Sequence, residues 1–383
     1  MHVLMVSDVY LPRINGVSTS IRTFRNTLAT QGIKVTLVAP QYADEAEESG
    51  VIRVPGRPVP FDPEDRLANW AAMRDTVARL APSVDLIHLQ TPFFAHYAGL
   101  KASKAFGLPV VATYHTLFEE YLGGYIPWMP NSWLRALARR ISCRQCNALD
   151  AVIVPSLAMS ERLSRYGVVT PMHIVPTGVQ VERFAKGDRE HFRKRHGIEM
   201  TRPMLLFVGR VAQEKNIGFL LQALQYALRS LPQLLLVVAG DGPALPALRA
   251  QAEMLGLTNA VQFIGYLDGE HELPDCYAAA DVFVFSSLTE TQGLVLLEAM
   301  AAGLPVVALS SMGTTDILAA GLGSISPEAD PQVFAKALLD LFADPIWHRQ
   351  LRIEALAYAA EWPDTANSEK LARLYQNLLD RPR

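Results

Sequence analysis

Short, almost uninterrupted apolar runs recur along this chain, each followed by a segment with helical period. The first half contains Val3–Val6, Val35–Val38, Val84–Leu89, Val110–Thr113, Val152–Val154 and His173–Val175. The second half contains Met204–Val208, Leu234–Ala239, Val261–Ile264, Val282–Phe285 and Val306–Leu309. Runs with so little polar alternation suit parallel strands covered on both faces. Their alternation with helices predicts doubly wound α/β sheets. Eleven strands in one open sheet would be unusually wide. We therefore expect two Rossmann-like domains, which 383 residues accommodate. The break is expected in the glycine- and charge-rich stretch between Thr177 and Thr201, which includes Gly187-Asp188-Arg189.

Charge and cysteine content narrow the function classes. Residues 1–190 carry 20 basic and 17 acidic side chains, a net of +3, whereas 191–383 carry 15 and 21, a net of −6. The overall balance of −3 argues against a general nucleic-acid binder. The more positive half is a candidate for facing something anionic. Three cysteines are too few for a disulfide framework and fit a reducing compartment. No secretory leader is visible after Met1, so a cytoplasmic location is expected. The most apolar stretch, Leu294–Leu309, is interrupted by Glu298, Gly303 and Pro305 and is not a membrane span.

Three segments carry chemistry. The first runs from Ser287 to Val307, between one strand and the next. Its Gly293 opens a helix at the carboxyl end of the Val282–Phe285 strand, where unpaired N–H groups favour an anion. Glu290 lies before that helix and Glu298 within it; carboxylates beside a phosphate site find natural partners in hydroxyls. Read alone, they are a capping acid and a surface acid. The second segment, Gly209-Arg210-Val211-Ala212-Gln213-Glu214-Lys215-Asn216, follows the Met204–Val208 strand. Arg210 and Lys215, five residues apart at a strand-to-helix turn, can converge on one diphosphate, although a single such pair is usually two solvated charges. The third is the tight turn Gly240-Asp241-Gly242-Pro243. No G-x-G-x-x-G follows the first strand, and the Walker pattern is absent.

In order and spacing, these three segments resemble retaining glycosyltransferases of family 4, which have the GT-B fold: two Rossmann-like doubly wound domains facing a cleft. The two glutamates separated by seven residues, the Gly16 loop and Tyr114-His115-Thr116 also match that family. The resemblance implies a catalytic set of Arg210, Lys215, Glu290 and His115. Arg210 and Lys215 would neutralise the donor diphosphate, Glu290 would bind hydroxyls of the transferred sugar, and His115 would contact that sugar from the opposite domain. Donor binding would involve Gly16, the N–H groups near Gly293, Leu294 and Val295, and Glu298 at the ribose. The family needs no divalent metal, consistent with the absence of an Asp-x-Asp pair. No cofactor is expected beyond the nucleotide sugar itself, with UDP-glucose the first choice. Glu290-Thr291-Gln292-Gly293 resembles the version found in bacterial glycolipid synthases, which implies a lipid or glycolipid acceptor. The implied domains are 1–180 for the acceptor and 181–365 for the nucleotide sugar, with 366–383 crossing back to the first. Two other readings stay open: a nucleotide-sugar epimerase of the same fold, and a non-catalytic sugar-nucleotide-binding subunit.

Weaker signals remain. Residues 133–144 read as a basic amphipathic helix, with Trp133, Leu134, Leu137, Ala138 and Ile141 at helical spacing and Arg135, Arg139, Arg140 and Arg144 unbalanced by any acid. Such a helix can lie on anionic lipid at the inner face of the cytoplasmic membrane or be an ordinary surface helix. Trp128 and Met129 add apolar bulk just before it. Cys143 and Cys146 have C-x-x-C spacing but sit deep in a helical segment, where two ordinary thiols are expected. His88 and His96 either line the cleft or are structural. Glu119, Glu120 and Tyr121, just beyond His115, either bind an acceptor or, as the preferred reading, are surface residues.

Overall fold

The computed structural model describes residues 1–42, 47–59, 62–115, 131–269 and 271–381. Its internal contacts divide the chain into two units. The first comprises Met1–Gly178 with Asp364–Arg383, and the second Val179–Pro363.

In chain order the strands of the first unit are β1 (His2–Val6), β2 (Lys34–Pro40), β3 (Val51–Val54), β4 (Gly56–Val59), β5 (Asp62–Ala68), β6 (Leu86–Leu89), β7 (Val110–Thr113), β8 (Ala151–Val154) and β9 (Met172–Ile174). Seven of them form a parallel sheet in the order β3-β2-β1-β6-β7-β8-β9. The second unit continues with β10 (Met204–Val208), β11 (Leu235–Ala239), β12 (Val261–Gly265), β13 (Val282–Phe285), β14 (Val306–Ala308) and β15 (Ser324–Ile325). They also run parallel, in the order β12-β11-β10-β13-β14-β15. In both sheets the chain winds outward through three strands and then returns to the other side of the first, and ligands of doubly wound sheets bind at the carboxyl ends beside that reversal. The reversals lie between β1 and β6 and between β10 and β13.

All eleven expected strands are present, and the continuous runs are buried as their composition requires: β8, β11 and β13 are buried at every position. Four strands were not anticipated. β3 and the two-residue β15 are short sheet edges. β4 and β5 form a separate antiparallel hairpin that carries Gly56, Pro58, Pro63 and three acids, so no apolar run marks it. The helix Asp364–Leu379 belongs to the first unit. Its Leu371, Leu374, Tyr375 and Leu378 enter a core with Val3, Met5, Ile21, Phe24 and Val111. Tyr375 Oη lies 2.6 Å from His88 Nδ1, and the other ring nitrogen of His88 lies 2.7 Å from Thr113 Oγ1. His88 is thus a structural histidine. Among the described residues no helix is long and apolar enough to cross a membrane.

Candidate active site

The second unit brings two of the charged segments together at its switch point. β10 ends at Val208, and the chain turns through Gly209 and Arg210 into a short 3-10 turn, Gln213–Lys215. β13 ends at Phe285 and leads through Ser286 and Ser287 to Glu290. The Lys215 ammonium pairs with Glu290 Oε1, both side chains being mostly buried. Three further contacts fasten the two loops. Ser286 Oγ donates to the carbonyl of Asn216 at 2.9 Å, Asn216 Nδ2 donates to the Ser286 carbonyl at 3.3 Å, and Ser287 Oγ donates to the Glu214 carbonyl at 3.2 Å. Arg210 lies in the same turn and is partly buried.

Glycine is required beside this turn. A Cβ at Gly240, whose φ is +136°, would stand 1.9 Å from the carbonyl oxygen of Gly209. Without that close approach, the Gly240–Pro243 turn could not pack beneath the Gly209–Ala212 turn. Two backbone bonds lock them together, Val211 N–H to the Asp241 carbonyl at 2.9 Å and Ala244 N–H to the Val211 carbonyl at 3.0 Å.

Gly293 has φ +91° and precedes the helix Leu294–Ala301, with no side-chain cap and no acid in the first turn. The start of that helix therefore presents backbone N–H groups and the positive end of its dipole without a competing carboxylate. Glu298 lies one turn on and is buried, and the Tyr277 hydroxyl donates to its Oε2 at 2.9 Å. Gly313 N–H donates to the Glu290 carbonyl at 2.8 Å and steadies the loop in front of the helix.

The first unit has a different polar cluster at its own switch point. His115 follows β7, and its Nε2 lies 3.0 Å from Gln90 Oε1 at the end of β6. Burial lowers its pKa to about 4, so the ring is neutral near pH 7. Asp8, after β1, accepts from Thr91 Oγ1 at 2.6 Å and from the Ala95 N–H at 3.1 Å. Burial pushes its carboxyl up to about 6 against those hydrogen bonds. Gly16 opens the helix Gly16–Thr30 behind Asn15, whose side chain caps Ser18 N–H at 2.9 Å. A Cβ at Gly16 would meet no atom within 4 Å, so the protein's own packing does not demand glycine there.

Comparison with known proteins decides the family. The family described as Glycosyltransferase Family 4 matches residues 14–183, and that described as Glycosyl transferases group 1 matches 188–359. An alpha-monoglucosyldiacylglycerol synthase of Streptococcus pneumoniae is 32% identical over 80% of this chain and 71% of its own length. The chain belongs to glycosyltransferase family 4. A GDP-mannose-dependent alpha-mannosyltransferase of Mycobacterium tuberculosis is also 32% identical, over 83% of this chain and 81% of its own. Among solved structures, sucrose-phosphate synthase from Thermosynechococcus elongatus superimposes with a TM-score of 0.79 at 22% identity, covering 98% of each chain. The GT-B fold expected from sequence is the one observed, and this family 4 member is a glycosyltransferase.

Family membership organises the remaining site residues. Lys215, Glu290, Gly293, Leu294, Val295 and Glu298 all lie in the second unit, around the β10 and β13 ends and the helix between β13 and β14. His115 and Gly16 lie in the first unit. Trp133, Arg135, Arg139, Arg140 and Arg144 lie on the helix Asn131–Cys146. That helix has two distinct faces. Leu134, Ala138, Ser142 and Cys146 are buried, whereas Trp133 is 73% exposed and Leu137 and Ile141 follow it outward. Arg140 and Arg144 share the outward face, while Arg139 lies over the Tyr166 ring at 5.6 Å. Cys146 is an ordinary buried thiol, pushed up to about 12 by burial. Thr116, Glu119, Glu120, Tyr121, Trp128 and Met129 lie outside the described residues. Sequence reasoning gave no role to Ser286, Ser287, Asn216, Tyr277, Gln90 or Asp8. The two serines at a strand end were the available local signal. Tyr277 and Glu298 are 21 residues apart on different helices, and no spacing rule links them.

Proposed function

We propose that the chain transfers a hexose from a nucleoside-diphosphate sugar to a lipid or glycolipid acceptor, with retention of anomeric configuration and without a divalent metal. Glucose from UDP-glucose is the first choice of donor. The observation that carries this reading is the Lys215–Glu290 pair set beside the uncapped start of the helix Leu294–Ala301. A diphosphate leaving group needs fixed positive charge where its negative charge develops, and preorganised donors supply it without reorganisation. Lys215, Arg210 and the N–H groups at Gly293–Val295 fill that role, and Glu290 offers the sugar hydroxyls a carboxylate. The bond from the anomeric carbon to the diphosphate breaks. The acceptor oxygen bonds to the same face, and its proton passes to a phosphate oxygen of the leaving group.

The acceptor class is supported by relatives named as monoglucosyldiacylglycerol synthases and by the outward Trp133, Leu137 and Ile141 beside Arg140 and Arg144. Aromatic and aliphatic side chains flanked by arginine suit an anionic bilayer surface, which would place the enzyme peripherally on the inner face of the cytoplasmic membrane.

The deciding experiment incubates the protein with a panel of UDP- and GDP-sugars and a lipid extract containing diacylglycerol and monoglycosyl diacylglycerol. Mass spectrometry identifies the product, and proton NMR reads the new anomeric signal. An α-linked glycolipid formed from an α-linked donor in the presence of EDTA is the expected result. A β-linked product overturns retention, and loss of activity in EDTA overturns metal independence. Release of free sugar and nucleotide without any acceptor would indicate an epimerase.

A further inference from the structure

Tyr277 is completely buried on the helix Glu272–Ala279. Phe184 meets its ring edge-on, with centroids 5.5 Å apart, and Phe283 lies 5.8 Å away. A phenol in such surroundings needs a hydrogen-bond partner, because leaving it without one costs about 1–3 kcal/mol. The hydroxyl donates to Glu298 Oε2 at 2.9 Å and, at the longer distance of 3.5 Å, to the Val295 carbonyl. The carboxylate is the part that packing does not explain. It interrupts the otherwise apolar helix Leu294–Ala301, and burying a charged group is costly.

We infer that Tyr277 is a positioning residue of the donor site, holding the Glu298 carboxylate in the one orientation that recognises the ribose hydroxyls of the nucleoside diphosphate. The inference rests on the assignment of Glu298 to the ribose. A glutamate has three rotatable side-chain bonds, and a hydrogen bond to a fixed ring removes that freedom before the ligand arrives. Burial keeps the Tyr277 phenol protonated, so it stays a donor at any working pH.

The test compares binding of UDP or GDP, whichever the wild type binds more tightly, with the 2′,3′-dideoxy form of the same nucleotide. The wild type should prefer the ribose form by roughly tenfold or more, the usual size of a hydrogen bond to a charged group. Glu298→Gln should largely abolish that preference. Tyr277→Phe, which deletes one atom, should reduce it about threefold to tenfold, and should change nothing further in the Glu298→Gln background, as expected for groups acting through one another. An intact preference in Glu298→Gln overturns the ribose assignment and the inference with it. A preference lost in Glu298→Gln but kept in Tyr277→Phe overturns the inference alone. If Tyr277→Phe does not fold, 3-fluorotyrosine at position 277 replaces it. Its fluorine resonance should shift with the ribose nucleotide and not with the dideoxy form, and equal shifts overturn the inference.

Discussion

The two units share one sheet plan yet treat their switch points in opposite ways. In the second unit the β10 and β13 ends carry a formal ion pair, Lys215 with Glu290, and an uncapped helix start. In the first unit the β1, β6 and β7 ends carry Asp8, Gln90 and His115. The ring of His115 is held neutral, and the Asp8 carboxyl is raised toward neutrality. One switch point is built on an ion pair, and the other on a neutral imidazole beside a carboxyl that is easier to protonate than usual.

Breaking the charged switch point should give the largest effect. Lys215→Ala or Arg210→Ala is expected to lower kcat by roughly 10²-fold or more, as when a preorganised electrostatic donor is lost. Wild-type turnover in both variants, measured with saturating donor, would remove the catalytic role. Next in size is a purely steric break. Gly240→Ala drives a Cβ into the Gly209 carbonyl and should destabilise the second unit by about 2–4 kcal/mol. Hydrogen exchange should then quicken in β10 and β11 while β1 and β6 keep their protection.

Acid should single out the first unit. Burial lowers His88 to about 3 and His96 and His115 to about 4, from an ordinary 6.5. The unfolded chain therefore takes up these protons first, so the stability they represent is complete above pH 6.5 and drains away as pH falls toward 4. Asp8 acts in the opposite sense between its ordinary 3.8 and about 6, and offsets only part of this. Exchange protection in β6 and β7 should fall between pH 7 and pH 5 before that of β10 and β13; the reverse order would contradict the buried neutral histidines. The smallest effect concerns lipid. Each of Arg140 and Arg144 changed to Gln should cost about 1 kcal/mol of affinity for anionic vesicles. Flotation should weaken in 1 M salt, where the Debye length shrinks to about 3 Å. Flotation indifferent to both changes would rule out an electrostatic contact by this face.

The same contrast explains what was legible in the sequence. Charge at a strand end is conspicuous, so Arg210, Lys215 and Glu290 drew notice by residue type; read alone each had a plain surface explanation, and their order and spacing with Glu298 gained meaning through the resemblance to family 4. The switch point of the first unit offered no such mark. Gln90 and Asp8 gain meaning only when β1, β6 and β7 lie side by side, and their partners are 25 and 83 residues away in sequence. The strands that escaped notice were also those without an apolar run. The β4–β5 hairpin pairs Arg57 with Leu67 and Pro58 with Arg66, so its sequence shows no hydrophobic period. The amphipathic helix Asn131–Cys146 was legible as such, but which apolar residues face inward was not. Helical spacing grouped Leu134 with Trp133, and tertiary packing separated them.

The helix Asp364–Leu379 gives the first unit a discontinuous core, closed by residues that lie beyond the whole of the second unit. During synthesis the groove awaiting Leu371, Leu374, Tyr375 and Leu378 stays open while about two hundred further residues are translated, roughly 10–40 s at ordinary elongation rates. The second unit, by contrast, is continuous from Val179 to Pro363 and can close as soon as it emerges. The half that begins first is thus finished last. His88 waits for its Tyr375 partner through that interval, and a chain stalled before Asp364 would display a complete second sheet beside a first unit with bare apolar side chains.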